Sequence, residues 1–368
     1  MTVHPGLSSS IVLTDISPAA WEHPADRAAL QALRAIPGFD YAVRKILAFT
    51  GGEQGIRLIF QANSVRVGPR QFPRLFSMMA EVQATLDWQR DVEVYVSQTP
   101  MVNAMAVGFD RPFIVVKSGM LKLLAEREQR VVLGHELGHI MSGHALYHTM
   151  LYLLVMLGIS QLPFLTGIAL MPIRLGLMEW YRKSELSADR AGLLASQHRE
   201  DALGVFLRLA GGGTAEQTSL EAFMDQAHRY AETSGPLDTV YKMLNTLDLD
   251  HPFSTMRAAQ LDQWIQEGHY DQILLGRYAR REQAGQQSHF ASDFSEAAQY
   301  YGREAKETVN HVVDAAQAYG RDAKETVGQV FGAAQAYGRE AKDAVGRALD
   351  AAGEALKHVV RKGPERPD

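Results

Sequence analysis

The spacing of hydrophobic and polar residues divides the chain into a mixed region and a helical tail. Helical spacing predicts helices over 25–47, with a break near Pro37, and over 72–86, 119–147, 178–197, 200–210, 215–232 and 254–267. Strand-like patterns, two of them rich in β-branched residues, occur over 55–67, 92–96, 102–107 and 113–116. The pattern therefore predicts an α+β fold that is mostly helical, with a small sheet.

Residues 149–173 form an apolar segment without a single charged side chain. A helix that spans a bilayer needs about 20 such residues. However, Ser160, Gln161 and Pro163 interrupt the segment near its middle and leave two arms that are each shorter than a span. We interpret the segment as a helical hairpin inserted into the domain. Three environments remain open for it: the protein core, one leaflet of a membrane, and a true span.

The C-terminal part of the chain is repetitive. A motif that begins at Ala297 recurs from Ala315 and Ala333, with a degraded copy from Ala351, so the period is 18 residues. Eighteen residues complete five helical turns, and each position therefore returns to the same face. This pattern predicts an amphipathic helix over 290–360. A solvated tail, a membrane-surface helix and a partner-binding helix remain open, and the near balance of charge makes attraction to anionic lipid weak.

The predicted elements suggest four parts of the 368-residue chain. These are an N-terminal region over 1–69, a catalytic region over 70–285 that contains the hairpin, the repeat over 290–360, and a polar tail over 361–368. The first 17 residues lack the basic and apolar stretches of a signal peptide. We therefore expect a cytoplasmic protein, with peripheral attachment to a membrane surface as an open alternative.

Composition narrows the chemistry that the chain can carry. Lys and Arg total 37 against 42 for Asp and Glu, a net charge of −5, which argues against nucleic acid as a partner. There are no cysteines, so neither a disulfide framework nor a thiolate metal site can form. Any metal must be bound by His, Asp or Glu. Nothing in the sequence predicts an oligomeric state.

The strongest chemical signal is the H-E-x-x-H motif over 135–139. His135 and His139 are four residues apart and share one face of a helix, so both imidazoles can reach one zinc ion. Glu136 is rotated by about 100° from His135, where it can accept a proton from a zinc-bound water. Apolar residues on both sides of the motif predict a buried helix, which argues against a chance match.

The zinc needs a third protein ligand. The metzincin pattern fails, because it requires glycine and histidine where the chain has Ser142 and Ala145. His144 and His148 are out of register, and we interpret both as ordinary polar residues near the end of the helix. A downstream carboxylate is the other solution. Glu185 can bind the metal and Asp189, four residues later, can hydrogen-bond a ligand imidazole.

These residues together resemble the HtpX-type zinc metalloproteases, the family that also includes the CAAX prenyl endopeptidases. The resemblance covers roughly residues 70–265 and rests on the segments 103–106, 114–121, 132–139 and 185–189, and on His251, Pro252 and Arg257. It implies a zincin-like catalytic domain with one zinc ion per chain. The implied metal ligands are His135, His139 and Glu185, the implied base is Glu136, and Asp189 is the implied carboxylate behind them.

The resemblance also implies three further roles. Asn103 would hold the substrate backbone on an edge strand, and His251 and Arg257 would stabilise the oxyanion and shape the site. From the residues alone, His251 could equally lie in an ordinary Asp-His-Pro turn. The chain departs from HtpX and the CAAX endopeptidases, which carry several membrane spans, so a prenylated substrate is not favoured.

The resulting hypothesis is a zinc metalloendopeptidase that acts on polypeptides, in protein quality control at or near a membrane. Two other classes remain open: a zinc-containing holdase or binding module, and a membrane-surface scaffold without turnover. Glu136 favours the enzyme, since a structural zinc site does not need a base.

Overall fold

The computed structural model describes residues 10–34, 39–49, 52–157, 170–213, 216–232 and 254–284. The strands are β1 (Ser64–Arg66), β2 (Val94–Ser97), β3 (Ala104–Val107) and β4 (Phe113–Lys117). The helices before and between them are α1 (Pro24–Arg34), α2 (Phe39–Phe49), α3 (Gly52–Gln61) and α4 (Pro73–Thr85). The later helices are α5 (Ser118–Leu123), α6 (Glu126–Met141), α7 (Ala145–Leu157), α8 (Leu170–Ser196), α9 (Arg199–Gly211), α10 (Leu220–Glu232), α11 (Ser254–Gln266), α12 (His269–Leu274) and α13 (Arg281–Ala284). The fold is mostly helical with one small sheet, as the sequence predicts.

The four strands form one sheet in the order β1-β2-β4-β3. β2 and β4 are parallel and occupy the centre, while β1 and β3 run antiparallel to their neighbours and form the two edges. Side chains of the central strands alternate between two cores. Val94, Val96, Ile114 and Val116 pack on one side with α4, α6, α8 and α9, and Tyr95, Phe113 and Val115 pack on the other with α1, α2 and α7.

The strand predicted over 55–67 is wrong for most of its length. Residues 52–61 form helix α3, and only Ser64–Arg66 is a strand. Tertiary contacts explain the difference. Glu53, in the first turn of α3, accepts hydrogen bonds from the backbone N–H groups of Phe109, Asp110 and Arg111. Ile56 is buried while Leu58 and Ile59 are about half exposed, a pattern that one helical face satisfies.

The first part of the apolar segment belongs to the core. Met150, Leu153 and Leu154 of α7 are buried with Leu177 and Trp180 of α8. The predicted turn of the hairpin lies outside the described residues. In the parts of the chain that the structure describes, no helix is both long and apolar enough to cross a membrane.

Three glycines bring α6 and α8 into close contact. A Cβ at Gly134 would lie 2.3 Å from the Cβ of Ala195, and one at Gly138 would lie 2.4 Å from that of Ala191. On the opposite helix, a Cβ at Gly192 would lie 2.8 Å from the carbonyl oxygen of Val131. These close approaches leave no room for side chains, so the two helices pack almost backbone to backbone. This packing brings the metal-binding motif of α6 against the carboxylates of α8.

Several predicted features lie outside the described residues: the repeat over 290–360, the polar tail over 361–368, and His251.

Candidate metal centre

Three side chains from α6 and α8 converge on one point. His135 and His139 lie on the same face of α6, and their Nε2 atoms are 3.1 Å apart. Glu185 of α8 faces both: Oε1 lies 3.3 Å from Nε2 of His139, and Oε2 lies 3.6 Å from Nε2 of His135. Among the described residues, these three form the group whose donor atoms could bind a metal ion together.

The donor set fits a zinc ion. Ligand distances of about 2.0–2.2 Å in a tetrahedron place neighbouring donors about 3.4 Å apart, close to the separations between these three side chains. Burial lowers the pKa of His139 to about 3, so its imidazole is neutral and can bind a metal. Burial also acts to lower the pKa of His135, but the hydrogen bond to Asp189 and the charge of Glu185 outweigh burial and raise it. The centre is therefore electronegative and favours a cation.

Asp189 and Arg257 form a second layer behind these donors. Asp189 Oδ1 lies 3.0 Å from Nδ1 of His135, so the carboxylate can hold this ring with Nε2 directed at the centre. Arg257 of α11 donates from Nε to Asp189 Oδ2 at 2.8 Å, and its Nη1 lies 3.0 Å from Oε2 of Glu185. Burial alone would raise the pKa of Asp189, but the Arg257 charge and its hydrogen bonds lower it, which keeps this buried carboxylate ionised.

Three of the four remaining predicted site residues lie in the described part of the chain. Glu136 is buried in the middle of α6, next to His135. Asn103 is partly buried and directly precedes the edge strand β3, and its carbonyl accepts a hydrogen bond from the Lys117 N–H. Arg257 contacts two carboxylates of the centre, as described above. His251 lies outside the described residues.

The interpretation of His144 and His148 as ordinary polar residues at a helix end is wrong. Both are buried, with 2% and 7% of their surfaces exposed. Helix α6 ends at Met141 and the chain turns at Gly143, whose φ of +72° suits glycine. This turn folds α7 back, so His144 reaches Nδ1 of His139 at 3.1 Å, and the ring of His148 packs 4.4 Å from the ring of His139.

Sequence reasoning also missed Asp26, which lies in α1 and is almost fully buried. Its Oδ2 is 3.2 Å from Nε2 of His144, it accepts a hydrogen bond from the Ser187 hydroxyl, and its Oδ1 accepts one from Trp180 Nε1 at 2.9 Å. The sequence did contain a signal. Asp26 occupies the same helical stripe as Ala29 and Leu33, so an acidic residue stands where an apolar one is expected.

Comparison with known proteins agrees with this geometry. The model of peptidase family M48 matches residues 69–265, which include all three donors and Asp189. The chain belongs to peptidase family M48. The resemblance to the HtpX-type proteases is thereby confirmed, and this M48 peptidase is a zinc metalloprotease, a hydrolase of peptide bonds.

The relatives of this M48 peptidase include plant and bacterial proteins. The plastoglobule-localized metallopeptidase 48 of Arabidopsis thaliana is 32% identical over 269 residues, which cover 72% of this chain and 77% of that protein. Two proteins called Protease HtpX homolog match over shorter stretches. The one from Arthrobacter sp. (strain FB24) is 40% identical over 76 residues, and the one from Moorella thermoacetica is 31% identical over 85 residues. The chain spans only 26% and 28% of these two proteins. No solved structure gives a significant match.

Proposed function

We propose that His135, His139 and Glu185 bind one zinc ion per chain and that Glu136 is the general base for peptide-bond hydrolysis, in a zincin-like catalytic domain. The observation that supports this proposal best is the convergence of two imidazoles and a carboxylate, with donor atoms 3.1–3.6 Å apart. His139 and Glu185 are buried and His135 is partly buried. Asp189 supports it further, since it contacts the ring nitrogen of His135 that faces away from the centre.

The proposed hydrolysis of the peptide bond requires an electrophilic metal and a base. When bound, zinc acts as a Lewis acid that polarises the peptide carbonyl and acidifies water. Glu136 removes a proton from the attacking water as the bond from its oxygen to the carbonyl carbon forms. The carboxylic acid then gives this proton to the leaving nitrogen as the carbon–nitrogen bond breaks, which regenerates the carboxylate. Both products are peptides, one with a new carboxyl terminus and one with a new amino terminus.

Arg257 acts through the carboxylates that it contacts. It is 7% exposed, and Asp189 and Glu185 lie on one side of it with the Phe206 ring 5.3 Å away on another. These contacts support a role in shaping the centre, because the guanidinium holds both carboxylates in place and favours the ionised form of Asp189. The proposed oxyanion donor is His251, on the basis of the family resemblance.

Substrate binding is proposed at the edge strand β3. An extended polypeptide can pair with the unpaired side of an edge strand through backbone hydrogen bonds. Asn103 directly precedes β3 and its own carbonyl is bonded to Lys117, so the side-chain amide is the group proposed to contact substrate backbone. Such contacts depend little on sequence, which suits a protease for diverse polypeptides.

We further propose that the enzyme works in protein quality control as a peripheral protein at a membrane surface. The name of the plant relative places that protein at plastoglobules. The 18-residue repeat supports the proposal from the sequence, since its predicted helix carries a continuous apolar face.

Digestion of casein by the purified full-length protein tests the function. We expect fragments to accumulate with zinc present, to stop on addition of a chelator, and to resume when zinc is restored. Binding of zinc and of unfolded casein without any cleavage would contradict the proposal and favour a holdase.

A further inference from the structure

A continuous line of buried polar groups connects α1 to the candidate metal centre. His139 Nδ1 lies 3.1 Å from His144 Nδ1, and His144 Nε2 lies 3.2 Å from Asp26 Oδ2. The three side chains are between 1% and 2% exposed. Asp26 is itself fixed by hydrogen bonds from Trp180 and Ser187, and the Ser187 hydroxyl accepts one from the backbone N–H of His23.

We propose that Asp26 and His144 are positioning residues of the metal centre, which set the orientation and proton position of the ligand His139. The proposal rests on the proposed metal-binding role of His139. It also makes α1 part of the catalytic unit, although α1 lies before the region that the family model matches, which begins at residue 69.

The hydrogen-bond chemistry of the three groups has one consistent solution. A His139 ring that offers the lone pair of Nε2 to a metal carries its proton on Nδ1. That N–H needs an acceptor, and the atom facing it is His144 Nδ1. His144 must then carry its own proton on Nε2, where it faces the Asp26 carboxylate. A carboxylate at this position selects that form of His144, and so completes the chain of donors and acceptors.

Burial indicates that the arrangement has a role beyond packing. An aspartate is rarely this deeply buried unless it is paired, because removing a carboxylate from water is costly without compensating partners. Asp26 retains three polar partners next to the candidate site: Trp180 and Ser187 of α8, and His144, which directly precedes α7. A ligand histidine usually donates its second N–H to a fixed acceptor, and loss of that acceptor commonly costs about 10–100-fold in metal affinity or activity.

Two substitutions of His144 distinguish the roles of its two ring nitrogens. An asparagine places its side-chain oxygen near the position of Nδ1, so His144→Asn retains an acceptor for His139. A glutamine reaches toward the position of Nε2, so His144→Gln retains the contact to Asp26 and loses the acceptor. Both variants remove the same ring, and a shared loss of stability therefore cancels in the comparison.

The test measures the zinc dissociation constant by chelator competition in full-length protein, and the absorption spectrum of the cobalt-substituted protein. We expect His144→Gln and Asp26→Asn to weaken zinc binding by about 10–100-fold and to shift the cobalt spectrum, with a smaller effect of His144→Asn. Asp262→Asn is the matched control. Asp262 pairs with His228 at 2.9 Å on α10 and α11, outside the candidate site, and its variant should bind zinc as wild type does.

The outcomes separate this inference from the function on which it rests. If His139→Ala abolishes zinc binding while Asp26→Asn and both His144 variants bind zinc within about twofold of wild type, the positioning role is wrong and the metal centre stands. If His139→Ala also binds zinc like wild type, the proposed metal centre itself is wrong.

Discussion

At the scale of single residues, both histidines of the candidate centre have their second ring nitrogen next to another buried side chain. Asp189 lies 3.0 Å from Nδ1 of His135, and His144 lies 3.1 Å from Nδ1 of His139. Each imidazole therefore approaches the centre with Nε2 and is held from behind. This arrangement lowers the entropy that the ligands lose when they order around a metal, and so favours tight binding.

Substitution of the two α8 carboxylates should separate a ligand from a supporting group. Glu185→Ala removes a donor and should reduce zinc affinity more than Asp189→Asn, which should cost about 10–100-fold. Metal analysis of both purified variants at low free zinc decides between these roles. Full zinc occupancy in Glu185→Ala would show that the third ligand has been assigned wrongly.

At the scale of elements, the contact between α6 and α8 fixes the distance between the motif histidines and Glu185. Gly138→Ala would place a methyl group 2.4 Å from the Ala191 side chain, so the helices must separate. We expect a loss of about 1–3 kcal/mol of unfolding free energy and weaker zinc binding.

Gly204→Ala is the control for that variant. The added Cβ would meet only Glu128 Oε1, at 3.4 Å, and alanine favours a helix by up to about 1 kcal/mol. This variant should therefore be as stable as wild type or more so, with unchanged zinc affinity. Chemical denaturation and chelator competition measure both quantities. Equal stability of the two glycine variants would contradict the packing argument.

The His23 side chain, at the N-terminus of α1, should make the free energy of unfolding depend on pH. His23 Nδ1 accepts a hydrogen bond from the Ala25 N–H at 3.1 Å, a cap that only a neutral imidazole can form. Burial, with the charges of Arg190 and Lys183, holds the pKa of His23 well below its usual value of about 6.5; Asp26 opposes this shift and Arg27 adds to it. Below about pH 6.5, His23 binds a proton in the unfolded chain while it is still neutral in the folded protein. Its contribution to the free energy of unfolding is therefore fully present above that pH and decreases as the pH falls.

His23→Asn should reduce this pH dependence, since asparagine also caps helices and does not titrate. The contribution of His23 amounts to at most about 1.4 kcal/mol per pH unit below pH 6.5. Urea unfolding of both proteins at pH 7.5 and 5.5, at the same free zinc concentration, gives the two slopes. Identical slopes would show that His23 is not held neutral in the folded protein.

Which elements could be predicted from the sequence depends on how local their determinants are. The two histidines of α6, and Glu185 with Asp189 on α8, share a face because of spacing within one helix, so the motif alone indicates them. The burial of His144 depends on the turn at Gly143 and on a carboxylate from α1, contacts between distant parts of the chain that no local pattern encodes. For the same reason, residues 55–61 form a helix where alternation indicated a strand.

At the scale of the whole molecule, segments both before and after the family-matched region have proposed roles. Helix α1 precedes that region, and its Asp26 contacts His144, the neighbour of the candidate ligand His139. The predicted repeat lies on the C-terminal side, and every residue assigned to the centre precedes residue 258. Catalysis and membrane attachment are therefore expected to be separable.

Liposome flotation of the full-length protein and of a truncation that ends at Gln287 tests this separation. We expect the truncation to bind liposomes more weakly while it still cleaves soluble peptides, because it lacks the predicted amphipathic face. Binding should depend little on salt, since the repeat has 8 basic and 9 acidic residues over 297–360. Equal flotation of the two proteins would show that the repeat does not contribute to membrane attachment. If neither protein floats, membrane attachment itself is contradicted.

The central claim is that Glu136 acts as a base beside a zinc ion held by three other residues. The most direct test is to measure zinc content and kcat/KM for peptide cleavage on the same preparations of wild type and Glu136→Gln. The account predicts equal zinc content in the two proteins. It also predicts that kcat/KM is lower in the variant by about 10²–10⁴-fold, the usual contribution of general base catalysis. Peptide cleavage by zinc-loaded Glu136→Gln at a rate near that of wild type would contradict it.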